Sequence, residues 1–309
     1  MLHLRLIVPS ARTEEVCALL EERAGTAHLV VLPGAARTPP GDVVTCDVAR
    51  EAADELLDDL RGLGLDEHGS ISVDSVDLSL SRQAEQAKDE APGEGADAVV
   101  WESLVEETHE ESTLTATFLA FLTVATMLAA CGVVLDSAIL IVGAMVVGPE
   151  FGPVAGLCVA LVRRRADLAW RSVLALLVGF PVAMLLTVAF SWLMGGLDLF
   201  TDARVHADRP NTSFIWDPDP FSFVVALLAG VAGMLSLTSS KSGALVGVAI
   251  SVTTVPAAAN AAVALTLGDH RQMWGSSLQL AVNLAGIVIA GTLTLLVQRF
   301  FWTRRRVHA

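Results

Sequence analysis

Beyond Ser112 the chain holds six apolar runs, at about 113–135, 138–162, 171–195, 221–238, 242–267 and 275–302. A helix rises ~1.5 Å per residue, so a hydrocarbon core of ~30 Å takes roughly 20 residues to cross, and every run is long enough or nearly so. In lipid each backbone N–H and C=O must find its partner within the protein, so such runs fold as helices packed into a bundle. A mean hydropathy of +0.58 agrees with that reading. The expected fold is an α-helical polytopic membrane bundle of six transmembrane helices over residues 113–309.

The preceding residues are a different kind of polymer. Residues 1–112 carry 25 Asp or Glu against 8 Lys or Arg, whereas residues 113–309 carry 9 against 12. So acidic a segment repels nucleic acid, which is not an expected partner; it suits cations or basic proteins, or simply keeps a tethered domain soluble. In residues 1–80, "HLRLIVP", "AHLVVLPG", "DVVTCDV" and "SISVDSVDLSLS" read as strands. Between them "TEEVCALLEER", with Thr13 as a candidate N-cap, and "EAADELLDDLRGLG", closed by Gly62 or Gly64, read as helices. The order βαββαβ predicts a small α+β ferredoxin-like domain. Residues 81–112 form an acidic linker: a hinge over 81–98, then an amphipathic helix in "VVWESLVEETHEES" with Val99, Val100, Trp101 and Leu104 on its apolar side. On that helix Glu106 and His109 or Glu110 lie a turn apart, as cation ligands or as a solvated face. The four cysteines, Cys17, Cys46, Cys131 and Cys158, show no metal or redox spacing.

Orientation follows from arginine. "RRR" at 163–165 and again at 304–306 falls on one side of a six-span bundle, the side of the N-terminal domain and of Lys241. Because cytoplasmic loops are the ones rich in Lys and Arg, the N-terminal domain and the C-terminus are expected in the cytoplasm, with the chain in a bacterial plasma membrane. The 24-residue loop "LDLFTDARVHADRPNTSFIWDPDP", with Trp216, then lies outside as a lid or a plain connection. Asp136, in the tight link before the second helix, reads as an interfacial cap, and Gly230 with Gly233 as a close helix contact.

The membrane half matches itself when shifted by 104 residues without a gap. Val142 and Gly143 meet Val246 and Gly247; "VAL" at 159–161 meets "VAL" at 263–265; Trp170 meets Trp274, Ser172 meets Ser276, and Leu174, Leu176 and Val178 meet Leu278, Leu280 and Val282. Each copy holds three helices, an odd number, so the second enters from the opposite side: a 3+3 inverted repeat with helices two and five broken. The second breaks at Gly148, Pro149, Glu150, Gly152 and Pro153, and the fifth carries Thr253, Thr254, Pro256 and Asn260 at the matching depth. Prolines remove amide donors, and a break in lipid persists only where protein or water covers it. Glu150 reads either as the cap of a new helix beginning at Pro149 or as a cation or proton site on a pathway. Thr253, Thr254, Asn260 and Asn283 read either as lining of that site or as hydrogen bonds between helices.

"GAMVVGPEFGP" and "GALVGVAISVTTVP" resemble the two signatures of an uncharacterised bacterial and archaeal membrane family, the domain of unknown function 389, also called the uncharacterised hydrophobic domain. The resemblance covers the membrane half and implies its architecture without a substrate. Here the second signature has Pro256 alone where the family has a pair, and Glu150 stands where an apolar residue is common.

There is no GxxxxGK[ST], GxSxG or HExxH, so neither an enzyme nor a cofactor is expected. The functional expectation is a secondary transporter, or a pathway for a small solute, proton or cation, with a midplane site at the two breaks and a cytoplasmic regulatory domain. The alternative is a membrane-anchored ligand sensor or scaffold. The many small residues of the helices also suit a homo-oligomer in the lipid bilayer.

Overall fold

A computed structural model describes residues 1–76, 78–91, 98–201, 209–216, 220–239 and 254–306. The chain divides into two compact units, one built on Met1–Ser103 and the other holding the helices from Leu104 onward.

In the first unit β1 (Leu2–Val8), α1 (Thr13–Glu22), β2 (Thr26–Arg37), β3 (Pro40–Val48), α2 (Arg50–Gly62), a single turn α3 (Leu65–His68) and β4 (Ser70–Ser75) follow in the expected order. The strands form one antiparallel sheet ordered β2-β3-β1-β4. Alternation in β1 sends Leu2, Leu4, Leu6 and Val8 to one face, where they pack with Val44, Cys46 and Val48 of β3 and with Val16, Leu20, Leu56 and Leu60 of the two helices. Gly64, at φ 67, takes the left-handed turn that ends α2.

Three readings need correction here. Thr13 opens α1 but does not cap it; its hydroxyl donates instead to Asp42 at 2.6 Å. The last strand is shorter than "SISVDSVDLSLS". Residues 82–90 are not hinge but a helix, α4 (Arg82–Glu90), because Ser81 accepts a capping bond from the Ala84 amide and Ala84 and Ala87 are buried. Residues 92–97 of the predicted hinge lie outside the described residues. Helix α5 (Trp101–Glu111) is where the amphipathic pattern places it, with Val99, Val100, Trp101 and Leu104 buried.

The second unit contains α6 (Ala116–Val134), α7 (Ala138–Val147), α8 (Phe151–Arg163), α9 (Ala166–Gly196), α10 (Pro220–Thr238), α11 (Val255–Thr266) and α12 (His270–Arg306). Among the described residues four helices, α6, α9, α10 and α12, are long and apolar enough to cross a membrane; α7 and α8 form a fifth span if counted as one, bent by 56°. The predicted count of six is not reached, because the first half of the fifth run, including Thr253, lies outside the described residues, as does Lys241 before it. The helices recur at one spacing: α6 and α10 begin at 116 and 220, α8 and α11 at 151 and 255, α9 and α12 at 166 and 270. Trp170 and Trp274, one near the start of α9 and the other near the start of α12, are exposed to the same degree, 67% and 69%, as suits rings in a headgroup region. Gly230 lets α10 approach the Ile287 backbone of α12 closely, as its spacing suggests.

Two contacts fix which helix ends share a side. Asp136, in the link before α7, accepts bonds from the Asn211 amide at 3.2 Å, the Asn211 side chain at 2.9 Å and the Thr212 hydroxyl at 2.9 Å, so this link and the loop before α10 meet. On α12, Arg299 donates to the Val162 carbonyl at 2.9 Å, capping the arginine-rich end of α8.

Candidate functional site

The break between α7 and α8 is confined to Gly148, Pro149 and Glu150. Glu150 occupies the N-cap position of α8, and its side chain makes no capping bond to that helix. The helix therefore starts two residues after Pro149, later than the sequence suggests. On α11, Thr254 is likewise the N-cap without a side-chain capping bond, and Pro256 stands within the first two positions.

The two caps bond to each other. Thr254 Oγ1 donates to Glu150 Oε1 at 2.8 Å, across 104 residues of chain. Glu150 is 2% exposed and Thr254 1%. The positive ends of two helix dipoles, each with unsatisfied N–H groups, thus meet at one carboxylate, a setting that favours negative charge. The Glu150 side chain folds back over Gly148, where a β-carbon would strike its Oε2 and also Val255. Pro149 is half-buried, whereas Gly152, Pro153 and Pro256 are buried. Gly152 leaves room for Glu111, and Gly156 for Ser112 and Ser172.

Asn260 and Asn283 belong to a polar face that sequence reading captured only in part. On α12, Gln272, Ser276, Gln279 and Asn283 are all buried and fall at intervals of four, three and four residues, one face of a helix. Asn260 Nδ2 donates to Ser276 Oγ at 2.8 Å, and Gln279 Nε2 to Asn283 Oδ1 at 3.3 Å, while Gln279 Oε1 is buried without a partner among the described residues. Since α11 and α12 pair as a hairpin through Asn260 and Ser276, Thr254 and Asn283 each lie ~10 Å further in at helical rise, at one depth.

At the loop end of this face sits Arg209, which the sequence reading missed. It is 7% exposed and donates to Asn260 Oδ1 at 3.3 Å and to Gln272 Oε1 at 2.7 Å. Burial pulls its pKa down, with Asp136 and Asp269 acting in the opposite sense. The signal for α12 was present in "RQMWGSSLQLAVN" as polar residues at helical spacing in an apolar run. Nothing in the sequence singles out Arg209 from other loop arginines. The Trp216 carbonyl packs on Gly275, so this loop lies against α12.

The first unit holds a second polar cluster. Asp47 accepts from His3 Nδ1 and His28 Nδ1, each at 2.7 Å, and His28 Nε2 shares a 2.8 Å hydrogen bond with Ser81 Oγ. Burial pushes the Asp47 carboxyl up, but the hydrogen bonds and charges of His28 and His3 outweigh it and hold it below the usual range. Thr13, the Gly34 amide and Ser10 lower Asp42 similarly. His28 sits at φ 55 where the β2–β3 register shifts, a bulge that turns its ring toward Ser81. It also lines a cavity of about 420 Å³ between β2 and α4, with Leu20, Thr26, Gln83 and Glu90. Among the described residues no group of three or more potential metal ligands gathers, and on α5 Glu106 and Glu110 are exposed with His109 half-buried.

Comparison with known proteins places this site inside a recognised segment. Residues 145–289 match the domain of unknown function DUF389. The DUF389 segment begins within α7 and ends within α12, so it takes in Glu150, Arg209, Thr254, Asn260 and Asn283 and agrees with the resemblance read from the two signatures. The chain is also 26% identical over 207 residues to the uncharacterised protein MJ0678 of Methanocaldococcus jannaschii, covering 65% of this chain and 62% of that protein. The chain thus spans about three fifths of that relative's length. No solved structure matches it.

Proposed function

We propose that the membrane half is a secondary transporter, or a pathway for a small solute, proton or cation, built as a six-helix 3+3 inverted repeat with its site where α8 and α11 begin. The observation that carries this reading is the Thr254–Glu150 bond. In an inverted repeat only residues near the pseudo-twofold axis can meet their own counterparts, and positions 150 and 254 are counterparts under the shift of 104 residues. The equal spacing of helix starts and the paired tryptophans support the same duplication. Discontinuous helices meeting at depth, with a carboxylate between their N-termini, are a recurring arrangement for coupling-ion and substrate sites.

The first unit, whose strand order is that of a ferredoxin-like fold, is the regulatory part, and the membrane is a bacterial plasma membrane with that unit in the cytoplasm. The test is purified full-length protein in liposomes. Imposed proton, sodium and potassium gradients should drive a flux that Glu150→Gln abolishes or uncouples. A flux equal in wild type and variant would remove Glu150 from the pathway, and the absence of any flux under all three gradients and a panel of labelled small solutes would favour the sensor or scaffold alternative.

A further inference from the structure

Arg209 is a full positive charge inside the helical unit, and its partners do not neutralise it. Both acceptors, Asn260 Oδ1 and Gln272 Oε1, are uncharged, and among the described residues Arg209 forms no ion pair. Asp136 and Asp269 act on it only through space. Asp136 is engaged with Asn211 and Thr212, and Asp269 accepts from the Gln272 amide at 3.0 Å. Taking an ion out of water costs several kcal/mol unless an opposite charge compensates, so a buried guanidinium held by two amides is an incomplete arrangement. A loop that only needed fastening would be held as well by the bonds that Asn211 and Thr212 donate to Asp136.

What completes the arrangement follows from the donor set. A guanidinium offers five N–H donors in a planar fork, a match for the paired oxygens of a carboxylate or phosphate. The Arg209 bonds to Asn260 and Gln272 use two of them. Beyond Arg209 the polar face continues through Ser276 to Gln279, whose Oε1 is buried and unpartnered among the described residues, as a face that receives a guest or water would leave it. At its deep end lie two helix N-termini, which again favour negative charge and meet at the Glu150 carboxyl group.

We infer that Arg209, with Asn260 and Gln272, forms the entry site for a small oxyanion, of the carboxylate or phosphate class, on the loop side of the second unit. This rests on the pathway reading and names its substrate class. Glu150 is then the resident counter-charge of the deep site, and an incoming anion has to pass or displace a carboxylate. That suits a route on which Glu150 takes up a proton with each oxyanion.

The test is thermal unfolding of the full chain in mild detergent, titrated separately with acetate and with inorganic phosphate against chloride at equal ionic strength. Wild type should be stabilised by acetate, phosphate or both beyond the chloride control, and the two titrations distinguish the carboxylate from the phosphate source. Arg209→Gln should weaken the apparent affinity at least tenfold, and Arg209→Lys, which keeps the charge and loses the fork, by an intermediate factor. Because Arg209→Gln removes two hydrogen bonds and can unfold the loop, Asn260→Asp is the decisive partner variant. It supplies an internal carboxylate to the guanidinium, so it should raise the midpoint in chloride while abolishing the oxyanion response. An oxyanion response missing in wild type, or unchanged in Asn260→Asp, overturns the inference. In that event a gradient-driven flux sensitive to Glu150→Gln would leave the pathway reading standing; an intact oxyanion response without any flux would do the reverse.

Discussion

Replacing Thr254 by Val removes one hydroxyl, keeps the volume of the side chain, and tests whether two breaks far apart in sequence touch. The hydroxyl donates to Glu150 at 2.8 Å in a place where both residues are almost wholly buried. A hydrogen bond to a charged acceptor contributes about 1.5–3 kcal/mol, and Thr254→Val should lower unfolding stability by that amount, with Thr254→Ser retaining most of it. Glu150→Leu removes the same bond but also relieves the desolvation of a carboxylate, so alone it should lie near neutral or stabilise. In the Glu150→Leu background the Thr254 hydroxyl has lost its acceptor, and Thr254→Val should then be neutral or favourable. The cycle therefore predicts a coupling of about 1.5–3 kcal/mol. Unfolding in mild detergent titrated with dodecyl sulfate and followed by far-ultraviolet circular dichroism measures it. Additivity within about 0.5 kcal/mol would refute the contact, and with it the claim that the starts of α8 and α11 share one site.

Two further outcomes follow from the same geometry. Gly156 has no room for a β-carbon, which would press on Ser112, Ser172 and the Thr108 carbonyl, whereas Gly143 opens on empty space. Gly156→Ala should therefore destabilise by about 1–3 kcal/mol through overpacking, while Gly143→Ala, a helix-interior glycine, should stabilise by about 0.5–1 kcal/mol; thermal midpoints in detergent compare the two. In the first unit Asp42 and Asp47 both have folded pKa values below their ordinary 3.8. Stability from such groups is fully present above the unfolded pKa and is lost as pH falls through the folded one. Pulse proteolysis of the full chain should thus show residues 1–76 resistant at neutral pH and increasingly cleaved below about pH 4, with Asp47→Asn weaker at neutral pH and flatter toward acid.

Much of this was legible in the sequence because it rests on period and spacing. The alternation in "HLRLIVP" fixes which side of β1 is core, the prolines and glycines at 148–153 fix where α7 stops, and the shift of 104 residues anticipates the helix starts. What was not legible depends on pairing across the fold. Glu150 reads in sequence as a helix cap or as a pathway site that Thr254 could line, and only the folded chain reveals that its Oε1 accepts from Thr254 and makes no capping bond to α8. Residues 82–90 looked like linker because they are charged and unpatterned in hydropathy; two buried alanines and a serine cap were enough to make them helical. Arg209 was hidden for the same reason, since burial is a property of its neighbours.

The two halves of the second unit share the spacing of their helix starts but not a chemistry. Along α9, positions 168, 172, 175 and 179 carry Leu, Ser, Ala and Gly; 104 residues later, along α12, the face carries Gln272, Ser276, Gln279 and Asn283. All eight are buried. The first set is small or apolar, so neighbours close on it: Phe118 and Leu122 crowd Gly179, and Ser112 with Ser172 fills the space at Gly156. The second set is polar throughout, with Gln272, Gln279 and Asn283 in place of Leu168, Ala175 and Gly179, and its partners come from Asn260, from Arg209 and from one another. A buried polar face among membrane helices bonds one helix to the next or lines a site, and the unpartnered Gln279 Oε1 among the described residues favours the second. On the proposed reading the route opens on the loop side along α12, while α8 is held against the packed face of α9.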